Sequence, residues 1–135
     1  MGLFDIFSIS GSGVGLNRAW MDAVSDNISN VNTVRRTSES AFQARYVVAQ
    51  STDVTGTGGG GVAVAGIALG DAEGLVVSDP SNPLADANGM VRRPDIDLGD
   101  QMTQLIQAQR GYQANLAVIQ RATDAYTAAL QVGKS

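Results

Sequence analysis

The chain has no cysteine and no histidine among its 135 residues. Disulfides, thiolate metal sites, cysteine nucleophiles and imidazole general bases are excluded together. Aromatic residues make up only 5%, so apolar mass comes mainly from Ala, Val, Leu and Ile. Alanine-rich seams bring helices close but bury little area per residue, so a single copy is expected to be weakly stable. No apolar run reaches the ~18 residues that a membrane span needs, and no membrane insertion is expected. The start, Met1-Gly2-Leu3-Phe4-Asp5, lacks the basic and apolar regions of a secretory leader. Ile6 stands where a myristoylation signal wants Ser or Thr. The net charge of −4 argues against nucleic acid as a partner, because phosphate neutralisation needs a basic surface.

What is present is a spacing. Leu98, Met102, Leu105, Gln109, Tyr112, Leu116, Ile119, Thr123, Tyr126 and Leu130 alternate steps of four and three, and only Gln109 and Thr123 interrupt the apolar character. A seam repeating every 3.5 residues suits a long helix that buries one stripe against another helix. No proline breaks it. A helix of about 33 residues is ~50 Å long, too long for the rest of so small a chain to cover, so partners in other chains are expected. Gln109 and Thr123 are either tolerated at a loosely packed layer or pin the register, since a buried polar group penalises wrong pairings. Gly111 inside this helix is either merely tolerated or permits close approach of a neighbouring helix, the second reading giving a reason for its cost of about 1 kcal/mol.

A second helix is expected over residues 8–31, where Val14, Met21, Val24, Ile28 and Val31 keep heptad steps with Asn17 in the seam. Gly11, Gly13 and Gly15 weaken its first turns by about 1 kcal/mol each. Asn30 or Asn32 is expected to end it in the left-handed conformation. Between the arms the period changes. Phe42, Ala44, Tyr46 and Val48 alternate as a half-buried strand would, and residues 62–67 and 75–77 read as further short strands. Turn chemistry lies at Asp79-Pro80-Ser81-Asn82-Pro83 and at Asp86-Ala87-Asn88-Gly89, where Gly89 is expected to supply positive φ. Asp95 or Asp97 is expected to cap the long helix.

The chain is therefore read as mainly α. Long N- and C-terminal helices pair as a coiled-coil-like layer with a small β-rich insert between them. The expected parts are an arm at 1–33, an insert at 34–97 and a long helix at 98–135. Charge follows this division: residues 1–50 are balanced, residues 51–97 carry −5, and the remainder carries +1. Neutral arms do not repel copies of themselves.

No candidate chemistry survives its context. Residues 56–61 satisfy G-x-G-x-x-G literally, but the segment that follows alternates as a strand rather than opening a helix, so a flexible connector is expected instead of a dinucleotide site. Asp95 and Asp97 are caps and dipole partners rather than the several-oxygen shell of a hard cation. Arg35-Arg36 and Arg92-Arg93 lack interleaved aromatics and read as solvated faces or salt-bridge partners between subunits. No catalytic residue, cofactor or metal is expected.

Three blocks carry a resemblance. The first is Ser10-Gly11-Ser12-Gly13 leading to Ser25-Asp26-Asn27-Ile28-Ser29-Asn30-Val31-Asn32-Thr33. The second runs through 61–67, 79–91 and 94–97. The third is Arg110-Gly111-Tyr112-Gln113-Ala114-Asn115. Together the chain resembles the bacterial flagellar basal-body rod proteins, the middle block being most particular to the proximal rod type. The usual Gly-Tyr after the first signature is replaced by Val34-Arg35-Arg36, and Ala41-Phe42-Gln43 stands where relatives often carry Pro-Tyr-Arg. The resemblance implies a structural subunit, exported by the flagellar type III apparatus and polymerised through its terminal helices into the rod that crosses the periplasm. It implies partners among copies of itself, sister rod proteins and the ring or adaptor at the rod base. It also implies arms that are disordered in the free monomer, and motif residues Asn27, Asn30, Asn32, Thr33, Tyr112, Gln113, Ala114 and Asn115. A sister rod or hook-junction protein and, more distantly, a cytoplasmic coiled-coil adaptor or export chaperone are the competing expectations.

Overall fold

A computed structural model describes residues 2–133 apart from Thr57 and Gly59. Met1, Lys134, Ser135 and two positions of the expected connector at 56–61 lie outside the described residues, as do the outer ends of the expected arms. The order of elements is α1 (Leu3–Asn30), β1 (Arg45–Ser51), β2 (Val62–Leu69), β3 (Leu75–Ser78), β4 (Met90–Arg93) and α2 (Leu98–Val132).

Helix α1 starts five residues earlier than its glycines suggest. Asp5 fixes the start: its carboxylate accepts the Gly2 N–H at 2.7 Å and sits at the positive end of the helix dipole. The three glycines then lie inside the helix, and packing outweighs their low propensity. The far end does not use a left-handed asparagine. Val31 is right-handed, and among the described residues only glycines have positive φ. Asn30 instead donates from Nδ2 to the Asp26 carbonyl at 2.9 Å, and its Oδ1 accepts the Thr33 hydroxyl at 3.1 Å. Helix α2 begins on Asp97, whose carboxylate accepts the Asp100 N–H at 2.8 Å. Asp95 takes no part in that cap.

The two helices run antiparallel. Asn27 of α1 bonds Gln101 of α2, Trp20 bonds Gln104, Gly13 faces Asn115, and the Phe4 ring lies 6.4 Å from that of Tyr126. One step forward along α1 is one step back along α2.

The insert holds two separate two-stranded antiparallel sheets, β1–β2 and β3–β4. In the first, Ser51 pairs with Val62 and Arg45 with Leu69, with a bulge between Val48 and Ala49. The strand begins at Arg45, not Phe42, and its burial does not alternate: Tyr46 and Val48 are both exposed. Strand β4 carried little hydrophobic signal, because two of its four residues are arginines. It pairs Met90 with Ser78 and Arg93 with Leu75. The turn before it has Gly89 at φ +73°, as its sequence implied.

The core is thin. Among the described residues its buried apolar side chains are Ala23, Val24, Ala41, Ala44, Val91, Pro94, Ala108 and Ala122, of which five are alanines. Among the largest fully buried side chains are Gln101 and Asn27.

Candidate assembly interface

Helix α2 carries two stripes. The one against α1 is small and polar. Gln101, Ala108 and Ala122 are buried and Asn115 is half-buried, one residue per heptad. The other is apolar and faces away. Leu98, Met102, Leu116 and Leu130 are between 42% and 51% exposed, while Tyr126, 43% exposed, still meets the Phe4 ring of α1. Gln109 and Thr123 share that exposed side. Leu105, Tyr112 and Ile119 are half-buried and lie between the two stripes, since successive residues are ~100° apart around a helix. The apolar spacing of the sequence therefore marks a face turned partly away from the chain's own α1.

On α1, Val24 is buried and Val14, Met21, Ile28 and Val31 are half-buried. Their small and polar neighbours Ser10, Gly13 and Asn27 are buried as well. Both helices thus meet through residues with little hydrophobic signal. Gln101 was missed for that reason. A period-seven series through Gln101, Ala108, Asn115 and Ala122 was present in the sequence, but in residue volume rather than in hydropathy.

Asn27 is the central polar node. Its Nδ2 donates to the Gln101 Oε1 at 2.9 Å and to the Arg45 carbonyl at 3.0 Å, and its Oδ1 accepts the Arg45 N–H at 2.7 Å. One amide clasps both backbone groups of the first residue of β1, as a neighbouring strand would. It so ties the hairpin to both helices. The Arg45 guanidinium adds an ion pair to Asp26 at 2.6 Å, half-exposed and worth little by itself. Further along the motif, Asn32 accepts from the Arg93 Nη2 at 2.6 Å. Gln113 and Ala114 are exposed, while Asn115 donates from Nδ2 to the Gly111 carbonyl at 2.8 Å.

The Arg92 and Arg93 side chains act within the chain, while Arg35 joins through its backbone. Arg92 donates from Nη2 to the Thr37 carbonyl at 2.8 Å and from Nη1 to the Glu73 carbonyl, and its backbone exchanges two hydrogen bonds of 2.9 Å with Arg35. This staples 35–37 to the β3–β4 sheet. The acids of the insert organise loops. Asp86 accepts the Met90 N–H at 3.0 Å, the Asn88 N–H at 2.8 Å and the Thr37 hydroxyl at 3.0 Å. The two backbone donors, Met90 first, hold its pKa below the ordinary carboxylate value. Asp53 is lowered likewise, chiefly by the Gly58 and Thr55 N–H groups. Among the described residues no cluster of acids has metal-binding geometry, and no helix is long and apolar enough to cross a membrane.

Two helical ends close on a small β insert, and an apolar stripe is left open along the longer helix. A family model described as the C-terminal part of the flagellar basal body rod FlgEFG proteins matches residues 87–132, from the last turn of the insert through α2. The class is that of the flagellar basal-body rod proteins. Similarity to curated relatives is more particular. The chain is 35% identical to the flagellar basal-body rod protein FlgC of Salmonella typhimurium over 119 residues, 88% of this chain and 89% of that protein. It is 37% identical to FlgC of Yersinia enterocolitica over the same shares. With FlgC of Bacillus subtilis it shares 29% identity across 99% of this chain and 100% of the relative. The chain belongs to the FlgC family of flagellar basal-body rod proteins. It is a structural component of the basal-body rod and not an enzyme, which settles the choice against a sister rod protein or a cytoplasmic adaptor.

Proposed function

We propose that the subunit enters the rod by seating the outward stripe of α2 on helices of neighbouring subunits. The arm 1–33 and the helix 98–135 form the coiled-coil-like layer, and the insert 34–97 lies beside it and fixes neighbours. The assembly interface comprises Val14, Met21, Val24, Ile28 and Val31 with the ten-residue series from Leu98 to Leu130. Neighbours are copies of this chain and sister rod proteins, with the ring or adaptor at the base of the rod. The chain is exported by the flagellar type III system, polymerises across the periplasm and transmits torque through interlocked helices. Nucleic acid has no part in this, and nothing inserts in a membrane.

The observation that carries the reading is the split of α2. A protomer whose core is mostly alanine leaves Leu98, Met102, Leu116 and Leu130 of α2 about half exposed. Covering them in an assembly contributes the stability that the isolated chain lacks. Ordering of the helices is then completed at the growing tip, where burial outweighs the entropy of fixing the arms. Leu116→Glu tests this. Leu116 is 42% exposed, so the substitution changes protomer stability by no more than ~0.5 kcal/mol. The variant is expected to be exported at the normal level and to be absent from purified basal bodies. Normal incorporation and motility would refute the reading.

A further inference from the structure

The heptad pattern leaves one question open. A seam of period 3.5 fits its partner equally well after a slip of seven residues, so apolar spacing does not choose one alignment of α1 on α2. Two matching segments do choose one. Gly13 and Asn17 on α1 face Asn115 and Gly111 on α2, the same Gly-x-x-x-Asn spacing on both helices, met head to tail.

The geometry is reciprocal. A Cβ on Gly13 would stand 2.6 Å from Oδ1 and 2.8 Å from both Cγ and Nδ2 of Asn115. A Cβ on Gly111 would stand 2.9 Å from Cγ and 3.1 Å from Nδ2 of Asn17, with Oδ1 nearer still. Each asparagine amide therefore lies flat over the bare backbone of the opposite glycine. Each is also held there by its own helix: Nδ2 of Asn17 donates to the Gly13 carbonyl at 2.8 Å, and Nδ2 of Asn115 to the Gly111 carbonyl at 2.8 Å. The glycine that receives one amide thus anchors the other. Gly11 and Gly15, by contrast, would meet nothing within 4 Å if given a Cβ.

We infer that these four residues form a reciprocal latch that selects a single antiparallel register of α1 on α2. A slip of seven residues sets Asn17 against Val118 or Gln104, side chains that fill the place Gly111 leaves empty. In the first case it also moves Asn27 from Gln101 to Ala108, which offers its amide no acceptor. The latch concerns pairing within the chain. It stands or falls separately from the proposed seating of α2 on neighbours.

The test is pair-specific rescue in the full chain, measured in a folding osmolyte that keeps the helices formed. Helix propensity alone predicts that Gly111→Ala raises the unfolding midpoint. The latch predicts a fall of about 5 °C or more, at least half recovered by adding Asn17→Ala and not recovered by adding Asn115→Ala. Gly13→Ala is expected to show the mirror result, rescued by Asn115→Ala and not by Asn17→Ala. Register is read independently from spin labels at Arg18→Cys and Gln109→Cys, which the absence of native cysteine makes selective. Their distance distribution is expected to be single in the parent and broadened or shifted in Asn17→Ala/Asn115→Ala, a one-heptad slip being about 10 Å. A raised midpoint for Gly111→Ala, rescue without pair specificity, or one unchanged distance after both asparagines are removed would each overturn the inference.

Discussion

Asn27→Ala is the perturbation for which the structure gives the most definite magnitude. The side chain is fully buried and makes three hydrogen bonds, two to the backbone of Arg45 and one to Gln101. Truncation removes the only donor to the Gln101 Oε1 among the described residues, in a side chain 2% exposed. An unsatisfied buried acceptor costs ~1–3 kcal/mol, and the space left by the amide adds to it. The Arg45 backbone groups lie in an exposed residue and recover much of their bonding from water. The net loss is about 3 kcal/mol. At ~2.1 cal/mol/K per residue, the 135 residues give an unfolding entropy near 0.28 kcal/mol/K, so the midpoint falls by about 10 °C. Circular dichroism of the full chain in a folding osmolyte reads the midpoint, and amide exchange at Arg45 reads the clasp. Ser29→Ala is the control: Ser29 is exposed and bonds only the Ser25 carbonyl, so its effect stays within about 2 °C. A fall of less than about 2 °C for Asn27→Ala, with Arg45 exchange unchanged, would refute the account of this node.

The Asp86 carboxylate gives a pH prediction. Its pKa is lowered in the folded chain by the Met90 and Asn88 N–H groups. Its contribution is therefore fully present above the unfolded value of ~3.9 and lost as pH falls through the folded value. Protection of the Met90 amide is expected to be flat from neutral pH down to about 5 and to fall in more acid solution; Asp86→Asn should abolish that dependence, and a dependence that persists would contradict it. The thin core gives a second prediction. Without osmolyte, the dilute chain is expected to show much less helix than the 28 and 35 residues of α1 and α2 require, and full helicity in the dilute monomer would contradict ordering on assembly.

The long helix was legible because its apolar residues keep one spacing for some thirty positions, and Asp95 or Asp97 marked its start, of which Asp97 makes the cap. Which face packs inside the protomer was not legible. Gln101, Ala108, Asn115 and Ala122 are too small or too polar to register in hydropathy, so the stronger apolar series drew attention to the open side. The close approach at Gly111 was readable from its helix-breaking cost, but its counterpart Gly13 looked only like a weakness. Strand β4 was obscured by Arg92 and Arg93, whose guanidinium groups serve backbone carbonyls and the Asn32 side chain. The exit from α1 was misplaced because asparagines that favour left-handed backbone here hydrogen-bond instead, leaving Val31 right-handed. The three sequence blocks pointed to the rod family without needing any of these details, since they record the residues that meet rather than the faces they form.

The open stripe of α2 is proposed to be covered by other subunits in the rod. Electron cryo-microscopy of basal bodies built with this chain tests it most directly. Met102 and Leu116 are expected within ~4 Å of helices from adjacent subunits. Density in which that stripe faces solvent, with subunits joined only through their β hairpins, would contradict the account.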